Sequence, residues 1–308
     1  MTTERRDRPA PAVPTPRPPS RAAAPPGTRS APGRPGRRPL PLLRRAPGAP
    51  PAVVAHRGSS STAPENTLPA LEAARRGGAS WVETDLRRTR DGVPVLLHDP
   101  RLERTTDGAG ELAGTSAADL HRLDAGSWFS PAHAGARVPR LDDLVTWATE
   151  HPEMHLLLEL KGDWAPADVV PVVEAVRAAS LGPRSVLQSF EPTTVAALAT
   201  AAPDLARGLL VRTGGPVDVG RPSEVEDLVA THDLVAVNPG DRLVAADPGL
   251  PARLHHLDVA VWVWTVDDED RWADLDAAGV DGVITNCPAR MLAHLAEGPA
   301  APSPAVAA

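Results

Sequence analysis

Two acidic residues interrupt a short segment whose other residues favour a β-strand. In the segment WVETDL, residues 81–86, Glu83 and Asp85 stand two positions apart. Because side chains alternate between the two faces of a strand, Glu83 and Asp85 point to one face, while Val82 and Leu86 point to the other. A strand that is buried on both faces therefore holds two carboxylates side by side in an interior.

A second segment of this kind, HLLLEL at 155–160, carries Glu159 near its end and is followed by Lys161. Alternation places Glu159 and Lys161 on one face, which we expect to point inward with the first two acids. Three inward carboxylates need a partner, because unpaired burial of an ionised group costs several kcal/mol. One partner is a hard divalent cation, Mg²⁺ or Ca²⁺, since every ligand is an oxygen. The alternative is a set of salt bridges with Lys161, Arg57 or Arg87.

Two histidines stand where strands are predicted to end. His56 closes the segment VVAH and is followed by Arg57, and His98 closes VPVLLH. Two histidines that titrate near neutral pH can divide the work of a general base and a general acid. Arg57 and Lys161 add positive charge for an anion, and a guanidinium matches phosphate oxygens. With the three carboxylates, these residues predict metal-assisted hydrolysis of a phosphate ester.

The elements that position these residues alternate along the chain. Short apolar or β-branched segments are separated by segments with helical periodicity, which is typical of repeated βα units. Eight such strands predict an α/β fold, a closed (β/α)8 TIM barrel with its active site at the carboxyl ends of the strands. An open doubly wound sheet is the alternative, but no GxGxxG turn follows the first strand. We predict strands at 53–56, 81–86, 155–160, 185–189, 207–211, 234–237, 259–264 and 282–285, and helices at 67–77, 171–180, 192–202, 223–232, 268–279 and 288–298.

One segment falls outside this count. VPVLLH at 93–98 follows the turn signal TRDG and is predicted to return antiparallel to the second strand. This hairpin would set His98 level with Glu83 and Asp85. Residues 99–138 would then form a small insertion after strand two, on the same rim. In the first helix, Asn66 is the predicted N-cap.

The first fifty residues differ in composition from the rest of the 308. They contain 14 of the 36 prolines, 11 arginines and two acidic residues, whereas residues 51–308 carry 21 basic and 37 acidic residues. Such a segment buries too little apolar surface to fold. We predict a disordered tail over 1–50, the barrel over 51–297 and a second disordered tail over 298–308. The basic tail is interpreted as a solvated linker or as sequence upstream of the true start; contact with an acidic membrane surface is the alternative.

Targeting signals are lacking in the sequence. The first twenty residues contain no apolar core of a secretory signal, and no apolar run reaches the roughly 18 residues of a membrane span. The single cysteine, Cys287, excludes an internal disulfide and a thiolate metal cluster. We therefore expect a cytoplasmic protein with no transmembrane segment, a small-molecule substrate and no nucleic-acid partner.

Nine short motifs extend this interpretation. They are AHRG at 55–58, PENT at 64–67, VETD at 82–85, TRDGVPVLLHDPRLERTTDGAG at 89–110, VPRLDDL at 138–144, LELK at 158–161, QSF at 188–190, WVWTV at 262–266 and GVDGVITNCP at 279–288. Their order resembles that of glycerophosphodiester phosphodiesterases, over about residues 53–295. Each motif alone is weak evidence for this family. The combination is specific: HRG is followed eight residues later by PENT, and then by ExD and HD.

The resemblance implies a TIM barrel that hydrolyses glycerophosphodiesters to sn-glycerol 3-phosphate and an alcohol with one divalent cation. It also implies roles for individual residues. Glu65 would support a histidine or an arginine, although an acid at a helix N-terminus is an equal interpretation. Trp264 would line the glycerol pocket, or merely fill the barrel. The other implied roles are Glu83, Asp85 and Glu159 for the metal, His56 and His98 for acid and base, and Arg57 and Lys161 for the phosphate.

Two residues depart from the usual family pattern. Asp267 stands where asparagine is common, and Asn286 stands where aspartate is usual. We expect both to affect the substrate rim and not the reaction class. Two other functions stay open. A lysophospholipase D-like enzyme would need an apolar approach to the rim, for which SWFSP at 127–131 is the candidate, and a catalytically silent phosphodiester-binding barrel would be expected to have lost a ligand or a histidine.

Overall fold

A computed structural model describes residues 43–297. Residues 1–42 of the N-terminal tail predicted over 1–50, and the whole of the C-terminal tail predicted over 298–308, lie outside the described residues. The strands are β1 Ala52–His56, β2 Trp81–Arg88, β3 Pro94–Leu96, β4 His155–Leu160, β5 Ser185–Ser189, β6 Ala206–Val211, β7 Ala236–Pro239, β8 Trp262–Val263 and β9 Gly282–Thr285. The helices are α1 Leu68–Arg76, α2 Ala117–Leu120, α3 Leu141–Glu150, α4 Pro166–Ala178, α5 Pro192–Ala201, α6 Pro222–His232, α7 Asp241–Ala246, α8 Leu250–His255, α9 Glu269–Ala277 and α10 Pro288–Glu297.

Eight parallel strands form a barrel in the order β7-β6-β5-β4-β2-β1-β9-β8. The pairing of β7 with β8 is reduced to two parallel bridges, Ala236 with Ala260 and Gly240 with Trp264. β3 lies outside the ring and pairs antiparallel with β2, Leu86 opposite Leu96. The predicted TIM barrel and the hairpin after its second strand are confirmed.

Side chains along β2 and β4 point alternately to two environments, the covering helices and the barrel interior. Val82, Leu86 and Leu158 are fully buried in a cluster with residues of the covering helices, including Leu71 and Leu144. The opposite faces point into the barrel, where a second apolar cluster fills the part nearest the amino ends of the strands. That cluster contains Leu43, Val54, Trp81, Leu157, Val186, Ala206, Ala236, Ala260, Trp262 and Ile284. The acidic residues lie above this apolar layer, toward the carboxyl ends.

Residues 43–50 differ from the predicted tail. Leu43 is buried, and its carbonyl accepts a hydrogen bond of 3.0 Å from Trp262 Nε1 inside the barrel. The backbone amide of Arg45 donates to Asp281 Oδ1 at 3.1 Å, and its guanidinium donates to the carbonyl of Asp276 at 2.7 Å. The segment therefore closes the amino end of the barrel, and the boundary predicted at residue 50 was wrong for these eight residues.

Several element boundaries also differ from the prediction. Strand β7, predicted to begin at 234, begins at Ala236, because the amide of Leu234 bonds to the carbonyl of Val229 and still belongs to the end of α6. Helices α2, α3, α7 and α8 were not predicted, and α4 starts at Pro166, five residues before the predicted start. The short α7 and α8 have too few turns to show a helical period in the sequence.

The insertion after β3 packs around its own small core. Its buried residues are Val95, Leu97, Leu102, Leu112, Leu120, Ala125 and Val138. Between residues 43 and 297, no helix has the length and apolar character that crossing a membrane requires. The cytoplasmic location stays a prediction.

Candidate active site

Three carboxylates meet at the carboxyl end of the barrel. Glu83 and Asp85 lie in β2, and Glu159 lies opposite Asp85 in the neighbouring β4. Their side-chain oxygens come within 4.8 Å of one another. The exposed fractions of the three residues are 2%, 0% and 5%. The structure thus brings together the three acids that the alternation pattern placed on one face.

Two basic side chains share this cluster. Lys161 Nζ lies 3.0 Å from Asp85 Oδ1 and 2.6 Å from Glu159 Oε1. Arg57 Nε lies 3.0 Å from Asp85 Oδ2. The salt-bridge alternative therefore holds for these three ion pairs. Arg87 does not join them, because its Nε donates instead to the carbonyl of His98 at 2.6 Å.

These ion pairs leave one carboxylate without a matching charge. Glu83 Oε2 accepts a 3.0 Å hydrogen bond from the amide of Arg57, while Oε1 is buried with no hydrogen-bond partner among the described residues. Burial and the neighbouring Asp85 and Glu159 raise the pKa of Glu83 well above its usual range. Burial also raises the pKa of Glu159 to about 7. The three oxygen donors, one of them unpartnered, fit a hard divalent cation.

Asp85 behaves differently because its partners are basic. Burial alone would raise its pKa, but Lys161 and Arg57 hold the pKa of Asp85 far below its usual value. Asn66 adds two hydrogen bonds: its Nδ2 donates to Asp85 Oδ2 at 2.8 Å, and its Oδ1 accepts from the Asp85 amide at 3.1 Å. Asp85 is therefore ionised and fixed in orientation.

The role predicted for Asn66 was wrong. The N-cap of α1 is Thr67, whose hydroxyl accepts from the Ala70 amide, while Asn66 has a left-handed backbone with φ of 55°. Asparagine adopts that conformation more readily than most residues. The sequence held a signal, since Asn66 belongs to the PENT motif, but capping explained an asparagine before a helix equally well.

His56 and His98 both line the cavity above the acids, which has a volume of about 470 Å³. His56 Nδ1 lies 2.7 Å from Asn286 Oδ1, and His98 Nδ1 lies 2.6 Å from Asp99 Oδ1. Burial, with Arg57 nearby, lowers the pKa of His56 to about 4. Burial also lowers the pKa of His98. Each histidine thus has one ring nitrogen held by a neighbour.

A chain of ion pairs links His98 to the opposite side of the site. Glu65 Oε1 lies 2.8 Å from Arg57 Nη1, and both Glu65 oxygens accept from Arg104, at 2.7 and 2.8 Å. Arg104 also contacts Asp99, the partner of His98. Glu65 therefore contacts an arginine of the site, as one of its two interpretations held. The sequence analysis missed Arg104, because nothing in the spacing of the insertion shows that it folds back to Glu65.

Aromatic residues form one wall of the cavity. Trp264 lines it and donates from Nε1 to the carbonyl of Asn238 at 2.8 Å. Its ring meets Phe190 edge to face at 5.2 Å, and Lys161 Nζ lies 5.7 Å from the Phe190 ring. Trp264 is thus a wall residue, and Phe190 is an additional one. Trp128, which marked the suspected apolar approach, is 41% exposed but is not among the residues lining this cavity.

Comparison with known proteins identifies the family of this chain. A sequence model of the glycerophosphoryl diester phosphodiesterase family matches residues 56–290. The chain belongs to this family. A probable glycerophosphodiester phosphodiesterase 1 of Mycobacterium tuberculosis is 32% identical over 267 residues, with coverage of 80% of this chain and 93% of the relative. The predicted family and the predicted enzyme class, a phosphodiesterase, are confirmed.

Two further proteins show a similar degree of likeness to this chain. A putative glycerophosphodiester phosphodiesterase of Bacillus subtilis is 29% identical over 237 residues, covering 77% of this chain and 94% of the relative. A solved phosphodiesterase of Oleispira antarctica, in complex with the product sn-glycerol-3-phosphate, is 29% identical with a TM-score of 0.72. The match covers 80% of this chain and 97% of that structure.

The raised pKa of Glu83 predicts an effect of pH on stability in the presence of a chelator. A carboxyl with a raised pKa stabilises the folded state at low pH, and this contribution is lost as the pH rises above the usual value near 4.5. The variant Glu83→Gln keeps a neutral group at every pH. We expect its free energy of unfolding, relative to wild type, to be higher at pH 8 than at pH 5 by about 2 kcal/mol.

Chemical denaturation at the two pH values measures this difference. Glu150→Gln, at an exposed position, is the matched control and should show no such change with pH. An equal stability difference between Glu83→Gln and wild type at pH 5 and pH 8 contradicts the assignment of Glu83 as the uncompensated acid.

Proposed function

We propose that this chain hydrolyses glycerophosphodiesters to sn-glycerol 3-phosphate and an alcohol, with one divalent cation and with His56 and His98 as acid and base. The observation that carries the proposal is the convergence of Glu83, Asp85 and Glu159 with both histidines around one cavity. The Oleispira antarctica relative, which holds sn-glycerol-3-phosphate, supports the identity of the product.

Glu83, Asp85 and Glu159 would hold the cation, Mg²⁺ or Ca²⁺. A divalent cation bound there supplies Lewis-acid polarisation of a phosphate oxygen. Charge supports this arrangement. With all three carboxylates ionised, as cation binding requires, Arg57 and Lys161 neutralise two of them. The five side chains together then carry one negative charge, and a bound divalent cation would change it to one positive charge. A phosphodiester monoanion then enters a site of opposite charge.

Arg57 and Lys161 would contact the phosphate. Both line the cavity, and each is held by a carboxylate, Arg57 by Glu65 and Lys161 by Glu159. A guanidinium fixed in this way presents its remaining N–H groups without losing further side-chain entropy. Trp264 and Phe190 would supply the apolar wall against the carbon atoms of the glycerol.

The two histidines have partners of different charge, and this divides their roles. Asn286 presents a neutral amide oxygen to His56, whereas Asp99 presents a carboxylate to His98. Burial lowers the pKa of both rings, but the Asp99 carboxylate favours the imidazolium form of His98. Of the two histidines, His98 would therefore be the one that holds the proton at the start, and His56 would be neutral. In both rings Nδ1 is engaged, which leaves Nε2 for proton transfer.

In the reaction, His56 Nε2 would accept a proton from the nucleophile as the new P–O bond forms. His98 Nε2 would donate its proton to the oxygen of the departing alcohol as the old P–O bond breaks. The nucleophile is either water or a neighbouring hydroxyl of the glycerol. In the second case a cyclic phosphate forms first, and water opens it with the histidines in exchanged roles, so that both routes give the same products.

Release of glycerol 3-phosphate from glycerophosphocholine tests the proposed activity. We expect turnover by wild type, loss of turnover with a chelator, and a decrease of about 100-fold or more in kcat for His56→Gln, because one acid/base group is removed. His121→Gln, at an exposed position that is not among the residues lining the cavity, is the matched control. Full activity of His56→Gln, or turnover of a lysophospholipid in preference to glycerophosphocholine, contradicts the proposal.

A substrate with an acidic leaving group separates the two histidines. Glycerophospho-p-nitrophenol needs no proton on its departing oxygen, so a general acid contributes little to its cleavage. We expect His98→Gln to lose about 100-fold in kcat on glycerophosphocholine and less than about 10-fold on the nitrophenyl ester, whereas His56→Gln loses similar factors on both. The reverse pattern would assign the acid role to His56.

A further inference from the structure

Asp267 and Asn286 follow β8 and β9 and are joined by two hydrogen bonds. The side-chain Nδ2 of Asn286 donates to Asp267 Oδ2 at 2.6 Å, and the Asn286 backbone amide donates to Asp267 Oδ1 at 2.8 Å. The hydroxyl of Thr285 also donates to Oδ1, at 2.8 Å. Burial would raise the pKa of Asp267, but these hydrogen bonds lower it. Asp267 is therefore an ionised carboxylate that accepts hydrogen bonds and donates none.

This carboxylate determines which way the amide of Asn286 faces. With Oδ1 turned toward Asp267, two acceptor oxygens would meet at hydrogen-bond distance. The amide nitrogen must therefore face Asp267, and the oxygen must face the other way. There Asn286 Oδ1 accepts from the hydroxyl of Ser60 at 2.8 Å and lies 2.7 Å from His56 Nδ1.

The orientation of the amide in turn decides the tautomer of His56. An amide oxygen cannot donate, so the nitrogen that faces it must carry the hydrogen. In a neutral imidazole with hydrogen on Nδ1, the lone pair is on Nε2. The opposite orientation of Asn286 would present an N–H to Nδ1, place the ring hydrogen on Nε2, and leave Nε2 unable to accept a proton.

We propose that Asp267 is a positioning residue, which acts through the Asn286 amide to hold His56 as the Nδ1–H tautomer with Nε2 free to accept a proton. The inference rests on the proposed role of His56 as the base. It corrects the expectation that Asp267 and Asn286 shape the substrate rim, since Asn286 contacts His56 directly.

The variant Asp267→Asn tests the proposal by reversing the donor pattern. The oxygen of the introduced amide would still accept from the Thr285 hydroxyl and the Asn286 backbone amide. Its NH₂ would then face the Asn286 side chain. Asn286 must then present its oxygen to that NH₂ and its own NH₂ to His56. We expect the tautomer of His56 to change to Nε2–H, with a decrease of at least about 10-fold in kcat and little change in KM.

Two-bond ¹H–¹⁵N correlation spectra at pH 8 report the tautomer directly, and the His56 signals are identified by their absence in His56→Gln. Asp268→Asn is the matched control: it changes the adjacent carboxylate to an amide, and it keeps an N-cap for α9, where Asp268 accepts from the Arg271 amide at 2.9 Å. We expect the Nδ1–H tautomer in wild type and in this control.

Exchange of the two side chains provides a rescue. In the double variant Asp267→Asn/Asn286→Asp, the amide introduced at position 267 donates from its NH₂ to one oxygen of the carboxylate introduced at position 286. The other oxygen of that carboxylate accepts from His56 Nδ1. The Nδ1–H tautomer and at least about a third of the wild-type kcat should return, an outcome that general disturbance of the loop does not produce.

An Nε2–H tautomer in wild type, or an Nδ1–H tautomer retained in Asp267→Asn at any kcat, overturns the proposal. A double variant that stays in the Nε2–H form also overturns it. These results are independent of the proposed function, because a wild-type protein inactive on glycerophosphocholine refutes that function while its His56 tautomer still decides this inference.

Discussion

The burial of three carboxylates at one end of the barrel is the constraint on which the rest of the site depends. Such groups are tolerated only when opposite charge or hydrogen-bond donors surround them. Lys161, Arg57 and Asn66 supply those groups to Asp85 and Glu159, and Glu83 keeps an oxygen without a partner among the described residues. When its acids are ionised, the site thus has an excess of negative charge that the proposed divalent cation would balance.

The barrel makes this arrangement possible because its interior has two layers. Near the amino ends of the strands, side chains such as Trp81, Leu157 and Trp262 fill the interior with apolar volume. Glu83 and Glu159, further along β2 and β4, lie between this apolar layer and the cavity at the carboxyl ends of the strands. Parallel neighbours in register hold the acids of β2 and β4 at one level. Stability and chemistry are therefore separated along the strand direction.

A second group of contacts orients the histidines. The insertion after β3 contributes Asp99 and Arg104 around His98, and the loops after β8 and β9 contribute Asp267 and Asn286 around His56. Each imidazole therefore receives a partner of its own, a carboxylate in one case and an amide in the other. This difference gives two chemically identical side chains different tasks in the proposed reaction.

The sequence alone predicted what regular periodicity encodes. The i, i+2 spacing of Glu83 and Asp85 fixed their common face, and the alternation of strands and helices predicted the barrel. Contacts between residues distant in sequence were not predictable, because no local pattern reports them: Arg104 with Glu65, or Leu43 inside the barrel. Asn66 was misassigned for a different reason, since capping and a left-handed turn favour the same residue types.

Anomalous diffraction from crystals grown with Mn²⁺ tests the central claim most directly. The account predicts one strong anomalous peak in contact with side-chain oxygens of Glu83, Asp85 and Glu159. A map with no peak among these three residues, in a protein that retains full phosphodiesterase activity, would contradict it.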